Sequence, residues 1–449
     1  MRLTIPYGDG ALEFELPREN LQGVVRPGGE AEASQVAEPA DRRGGEGAAP
    51  GRSVAEARSV PTEAELEQAE IRRALAEPIG APRLRELAAK AGSAVIVVSD
   101  ITRPCPSYKF LPALLEELRP LPPERITIIF ALGGHRLHTR EEQVALVGEE
   151  VASSGVRLLD LDNTDVVPVG TTTRGTRIEV FKPYLDADLR ICTGNIEYHY
   201  FAGFSGGAKA VVPGVCSYTA IRDNHRMMLE PTARAGILEG NPVRDDIDEA
   251  GGMIGIDYIF NVVLDEQKRV LHAVAGHYLE AHRVGVRLYD ERCDLSVPEA
   301  ADIVIASPGG KPKDINLYQA QKTLDNVAGA VRDGGIVILV ARCREGFGQK
   351  YFEEWMTNMG TPQVLIDRIQ REFVLGGHKA AAIAGLLARV SVYLVSEFSP
   401  DVVRAMCMTP FDSVDGALAA AFGELGPAAR CLVVPHGNRV TARPTPVSA

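Results

Sequence analysis

Two kinds of apolar stretch alternate along the chain. Short, nearly unbroken runs such as SAVIVVSD (93–100), ITIIFALG (126–133) and LRICTGNI (189–196) have no polar residue at every second position. Runs of that length, rich in Val and Ile, predict strands buried on both faces, as in a parallel sheet covered by helices. Between them lie stretches with helical spacing: TEAELEQAEIRRALAEPIG (62–80), ending near Pro78, then PSYKFLPALLEEL (106–118) and a segment around REEQVALVG (140–148). The alternation returns after residue 300. ADIVIASP, GGIVILVARC, VSVYLVSEF and CLVVPHG read as strands, with helices through LYQAQKTLDNVAGAV, around 349–388 and near 412–423.

This order predicts an α/β chain of two domains, each a mostly parallel sheet flanked by helices. The first is expected to take residues 1–25 and 60–270, and the second 291–436. The segment around 265–290 reads as helical, so 271–290 is expected to link the domains, and 437–449 to be a loose tail. Residues 26–59, opening RPGGEAEASQ, hold almost nothing to bury and predict a mobile insertion.

Composition narrows the function. The 449 residues carry a net charge of −12, which argues against a nucleic-acid or anionic membrane surface. A small anionic substrate would therefore need local cations. No apolar run approaches the roughly 18–20 residues that cross a bilayer. The start, MRLTIPYGDG, lacks the basic and apolar regions of a signal peptide, so a cytoplasmic protein is expected. Seven cysteines are scattered without a CxxC pair, which argues against a disulfide framework or a cysteine zinc site.

The candidate chemistry gathers where predicted strands end. In open α/β sheets ligands bind beyond the carboxyl ends of the strands, and three of these ends carry Asp100, His135 and His199. The third runs into YHYFAGFSGGAK (198–209). A P-loop would need G-x-x-x-x-G-K-[ST]; counted from Gly203, positions 208 and 210 are both Ala, so that reading fails. Gly206 and Gly207 remain either a tight turn or a loop laying backbone against a ligand. Lys209 is either a solvated lysine or an amine whose pKa is depressed for covalent chemistry. His135 (GGHRLHT), His199 (EYHYF) and His225 (RDNHRMM) follow strands or glycine loops, which suits acid–base or metal-ligand roles as well as structural ones. The other histidines, 138, 272, 277, 282, 378 and 436, read as structural or surface. Asp100 and Arg103 in SDITRP offer a carboxylate fork or a local ion pair. Tyr318, Gln319 and Lys322 in YQAQK sit near a helix start, on either a binding face or a solvated one.

Taken together, DITRP (100–104), GGHR (133–136), HYFAGFSGGAKAVVPG (199–214), NH (224–225) and YQAQK (318–322) resemble the nickel-pincer-dependent lactate racemase family. The resemblance spans nearly the whole chain outside 26–59. It implies an active site in the interdomain cleft and a nickel ion held by a pincer nucleotide, a pyridinium mononucleotide with two sulfur arms. It implies that Lys209 forms a thioamide with one arm, that His225 ligates nickel, and that His135 and His199 are the acid–base pair. Arg103 and Lys322 would hold the substrate carboxylate with Gln319 nearby; Asp100 and Tyr318 would line the site, and Gly206 and Gly207 would let the backbone lie close to the cofactor. The implied activity is racemisation or epimerisation of a 2-hydroxy acid by hydride transfer through a 2-keto acid, and the implied partners are that substrate and the cofactor-building enzymes.

The family block reads close to PHFFAGFSGGRK, whereas Tyr198, Tyr200 and Ala208 stand here for Pro, Phe and Arg. Two added phenols lead us to expect a substrate larger than lactate, such as a sugar acid. The competing readings are a mononuclear zinc hydrolase using the three histidines and a non-catalytic α/β protein binding a carboxylate or nucleotide. A dehydrogenase would need G-x-G-x-x-G after a strand, which is absent.

Overall fold

Ala94–Ser99, buried along almost its whole length, lies inside a six-stranded sheet with the spatial order Val270–Gly276, Tyr258–Leu264, Leu189–Asn195, Ala94–Ser99, Ile126–Ala131, Arg157–Asp160. Neighbours are parallel except Val270–Gly276, which returns antiparallel to Tyr258–Leu264. The computed structural model describes residues 1–25, 61–103, 105–265, 267–297, 299–372, 374, 376–438 and 441–444. The 26–59 insertion lies outside the described residues.

Numbered along the chain, the sheet runs 6-5-4-1-2-3, a doubly wound order whose direction of growth reverses between Ala94–Ser99 and Leu189–Asn195. Such a switch point leaves a crevice beyond the two carboxyl ends, because the connections leave in opposite directions. Successive side chains serve opposite faces: Val95, Val97 and Ile129 enter one core, while Ile96, Val98, Ile128 and Phe130 enter the other. The expected helices appear as Glu63–Ala76, Leu111–Glu117 and Arg140–Val147; the first and third open with capping boxes at Thr62 and Thr139.

The second sheet is parallel throughout, in the order Thr409–Phe411, Ser391–Val395, Val331–Val340, Ala301–Ala306, Cys431–Val434, Leu21–Val24. It too is covered on both faces, with Val304, Val337 and Leu339 in one core and Ile303, Ile305 and Ile338 in the other.

Three boundaries differ from the sequence reading. Residues 1–25 belong with the second sheet, not the first: Leu21–Val24 pairs with Cys431–Val434, and the hairpin Arg2–Tyr7/Gly10–Glu15 buries Ile5 and Phe14 in the same core as Ile303. Residues 271–276 are strand, not helix. Asp265 accepts from the backbone N–H groups of Gln267 and Arg269, each at 2.8 Å, and so turns the chain back into Val270–Gly276; the helix begins only at Glu280. Within the expected tail, Thr441–Pro444 pairs in parallel with Asp294–Val297.

Candidate active site

The two loops at the switch point carry the chemistry. After Ala94–Ser99 the chain turns through Asp100–Arg103, with Arg103 N–H donating to Asp100 C=O at 3.1 Å. Thr102 donates to Asp100 Oδ1 from both N–H (2.7 Å) and Oγ1 (2.5 Å), while His135 Nδ1 lies 2.5 Å from Asp100 Oδ2. Burial works to raise the Asp100 carboxyl pKa, but the bonds from His135 and Thr102 and the nearby positive charges hold it below the usual range. Asp100 is therefore ionised and can only accept, so His135 donates from Nδ1 and presents the lone pair of Nε2.

A histidine read as structural supports this arrangement. The His138 side chain is fully buried; its Nε2 accepts from Ile101 N–H at 3.1 Å and its Nδ1 donates to Asp160 Oδ1 at 2.8 Å. It ties the loop bearing Asp100 and Arg103 to the loop bearing His135. Spacing alone could not show this, because Asp160 ends a different strand.

After Leu189–Asn195 the chain forms a two-residue ribbon, Tyr198–His199 against Gly203–Phe204, and then a single turn, Gly207–Ala210, that carries Lys209. Arg244, fully buried on the helix Pro242–Ile254, directs its guanidinium to the carbonyls of Ala202, Phe204 and Gly206 and to Asp248. One cation thus replaces the hydrogen-bond partners that this irregular backbone lacks. Position 208 faces the same helix: a Cβ on Gly251 would stand 2.7 Å from that of Ala208, which is fully buried. An arginine has no room there.

The glycines do not serve as expected. The space beside Gly206 and Gly207 is filled by protein, since a Cβ would meet Asn261 Oδ1 at 2.9 Å from Gly206 and the His282 ring at 2.9 Å from Gly207. Gly207 N–H is already given to Asn261 Oδ1 at 2.8 Å. Their positive φ values of 77° and 60° and this close packing require glycine, so the fit is to Asn261 and His282.

His199, Lys209, His225 and Arg103 are linked electrostatically: the charge of Lys209 acts on both His199 and His225, and that of Arg103 on His199 and Lys209. Burial lowers the Lys209 amine to about 7, assisted by Arg103 and Arg244 and opposed by Glu197 and Asp100. Burial also holds His199 well below the ordinary imidazole range, followed by the charges of Lys209, Arg103 and His225. His225 is lowered to about 3 by burial, Lys209 and His378. Phe201 packs between two of the imidazoles, with ring centroids 4.6 Å from His199 and 4.8 Å from His225.

His225 closes the helix Tyr218–His225 and is oriented from behind. Asn224, fully buried, donates from Nδ2 to Asp246 Oδ2 at 2.8 Å, which turns its Oδ1 to His225 Nδ1 at 3.2 Å. Asp246 in turn accepts from Thr172 and Thr176. The Nδ1 proton of His225 is thereby committed and Nε2 presents a lone pair, the arrangement that orients histidine ligands in metal sites. Among the described residues, no three His, Cys, Asp or Glu side chains form a group that could hold a metal ion. The three-histidine zinc site therefore lacks a ligand set.

The second lobe meets this centre at Tyr200. The Tyr200 ring stacks on His378 at 6.0 Å, and its phenol pKa is raised by burial and then by Tyr318 and Asp325. Tyr318, on the first turn of Leu317–Val327, is half-buried, while Gln319 and Lys322 on the same helix are exposed, Lys322 within electrostatic reach of Lys379. Tyr198 turns away from the cleft, donating to Asp290 Oδ1 at 2.7 Å.

A lysine and three histidines at the switch point of a doubly wound sheet, facing a second parallel lobe, define a two-lobed α/β enzyme. Residues 49–236 match the family model for the lactate racemase N-terminal domain, and 297–442 the model for the C-terminal domain. A lactate racemase from Thermoanaerobacterium thermosaccharolyticum is 33% identical over 98% of this chain and 99% of its own. One from Lactiplantibacillus plantarum is 35% identical over 84% of this chain and 91% of its own. The solved lactate racemase apoprotein from T. thermosaccharolyticum superposes with a TM-score of 0.84 at 32% identity, covering 99% of this chain and all of that one. A Thermotoga maritima protein at 18% identity and a TM-score of 0.56, covering 81% of this chain and 98% of its own, shares the fold. The chain belongs to the lactate racemase family, and as such it is an isomerase.

Proposed function

We propose that the protein inverts the α-carbon of a 2-hydroxy carboxylic acid, with a nickel-pincer nucleotide as cofactor. The observation that carries this reading is the gathering of Lys209, His225, His199 and the Asp100-held His135 around one crevice. The donor set fits the implied group. The Lys209 amine, near 7, is available to form a covalent link, and His225 offers one neutral imidazole nitrogen whose partner nitrogen is fixed by Asn224. A pincer that supplies its own sulfur donors needs only one such protein ligand, in keeping with the absence of a three-ligand cluster among the described residues.

The chemistry requires this division of labour. Removing the α-hydrogen as a proton would place a second negative charge beside the substrate carboxylate, whereas removing it as hydride while the hydroxyl loses its proton leaves a neutral ketone. The cofactor, when bound, supplies the electrophile that accepts that hydride. The remaining work belongs to the chain. Arg103 and Lys322 bind the carboxylate, and Tyr200 and Tyr318 wall the substrate between the lobes. His135, with a lone pair on Nε2, accepts the hydroxyl proton. His199, whose Nδ1 accepts from Ala202 N–H at 3.2 Å, carries its hydrogen on Nε2 and hydrogen-bonds the same oxygen from there, while the proton held by His135 is the one given back to it. Return of hydrogen to the other face of the planar ketone completes the inversion.

Of the two phenols expected to favour a larger substrate, Tyr198 is engaged by Asp290 and only Tyr200 faces the cleft. The reading extends to acids longer than lactate through Tyr200 alone. The test is to express the protein with the cofactor-building enzymes, measure nickel and the mass of the Lys209 peptide, and screen 2-hydroxy acids from lactate to sugar acids by NMR. Inversion with a mass increase at Lys209 supports the reading. Turnover of lactate alone ends the extension to larger substrates, and loaded protein that inverts no 2-hydroxy acid ends the whole.

A further inference from the structure

Lys379 is only 5% exposed, near the start of the helix Gly377–Leu387. Its ammonium donates to the Tyr318 carbonyl at 2.7 Å and lies 3.9 Å from the centroid of the Tyr318 ring. Asp325, on the same helix as Tyr318, is near enough for its charge to act on Lys379, and Gln321 donates to its Oδ2 at 2.5 Å. The preceding residue, His378, stacks on Tyr200 of the first lobe, which neighbours His199. Two consecutive residues thus touch both walls of the cleft.

Burial and then Lys322 lower the pKa of the Lys379 amine, and Asp325 opposes them by favouring the charged form; an apolar side chain of similar length would pack there at lower cost. The charge has a specific use at this place. The first turn of Leu317–Val327 carries Tyr318, and Lys322 follows one turn later on the same face. Grasping both the carbonyl and the ring of Tyr318 fixes that turn in position and in rotation, and a neutral side chain of the same volume offers neither bond.

We propose that Lys379 is a positioning residue for substrate binding, which locks Tyr318 and with it the face bearing Lys322 toward Tyr200 and His199. The role rests on the reading of function above. It predicts that loss of Lys379 weakens capture of the substrate carboxylate and leaves the centre around Lys209 and His225 intact.

The comparison uses wild type, Lys379→Met, Lys379→Arg and the double variant Lys379→Met/Asp325→Asn. Amide hydrogen exchange of the apoprotein is read at 317–322, and kcat, KM and Tm are read on loaded enzyme. Lys379→Met is expected to speed exchange at 317–322 and raise KM about tenfold with kcat within about threefold, the split that marks lost binding. Lys379→Arg should recover part of the KM. The double variant removes the carboxylate that has lost its cation, so it should regain Tm but not KM. Exchange unchanged in Lys379→Met, or a KM restored together with Tm in the double variant, overturns the proposal. Wild-type enzyme inactive on every 2-hydroxy acid would instead sink the reading of function, and the exchange comparison on the apoprotein would still decide whether Lys379 holds Tyr318.

Discussion

Asp100 accepts a hydrogen bond from His135 Nδ1 at 2.5 Å, whereas Nδ1 of His199 is itself an acceptor, from Ala202 N–H. The two imidazoles therefore rest in opposite tautomers, one presenting a lone pair at Nε2 and the other an N–H there. A pair drawn as equivalent in sequence is unequal in space.

Replacing Asp100 by Asn removes the charge that fixes the His135 tautomer while keeping the shape. We expect kcat to fall by about 10²–10⁴-fold, the range for a disabled general base or a wrongly set tautomer. Nickel content and the Lys209 adduct should match wild type. Steady-state kinetics on loaded protein check this, and a kcat within threefold of wild type would contradict it.

In the apoprotein Lys209 should react with an amine-directed reagent near neutral pH. Its amine is lowered to about 7 by burial and by Arg103 and Arg244, so the neutral form becomes dominant above that pH, while ordinary lysines wait until about 10.4. Peptide mass mapping after brief labelling from pH 6 to 10 should show an inflection for Lys209 near 7. An inflection shared with the exposed lysines would refute the assignment.

Acid should weaken the fold through its buried imidazoles. His225 is lowered to about 3 and His378 to about 4 from 6.5, each by burial first. Below 6.5 the unfolded chain binds protons that the folded protein does not, so stability falls as pH drops from about 6.5 toward 4. Thermal unfolding should show Tm decreasing from pH 7 to 5; a flat or rising Tm would count against neutral, buried histidines.

On the proposed reading of His225 as the nickel ligand, Asn224→Ala should loosen that ligand without touching the metal. It frees the Nδ1 side of His225, and loss of such a supporting bond typically costs 10–100-fold in metal affinity. Nickel retention against a graded chelator measures this, and retention equal to wild type would show that His225 does not need the Asn224–Asp246 chain.

Much of this was legible in the chain because strand ends and apolar runs are local signals. The continuous runs at 94–99, 126–131 and 189–195 became neighbouring strands of one sheet, so the residues just beyond them follow adjacent carboxyl ends. Partners far away in sequence were not legible. The first residues join the second sheet through pairing with Cys431–Val434, and Gly8 N–H reaches Asp314 across 306 positions. VLHAVAG was misread because one aspartate, capping a turn, decides between helix and hairpin. His138, Arg244, His378 and Lys379 act through tertiary contacts that no spacing encodes. A hint existed in the adjacent His378 and Lys379, both buried at the opening of an apolar helix.

The central claim is that the α-hydrogen leaves and returns as hydride while the imidazoles handle only the hydroxyl proton. It is tested most directly by racemising α-deuterated substrate in ordinary water with loaded enzyme and following the label by NMR. The account predicts an inverted product that keeps its deuterium. Loss of the label to solvent at the rate of inversion would mean that the hydrogen departs as a proton, and the account would be wrong.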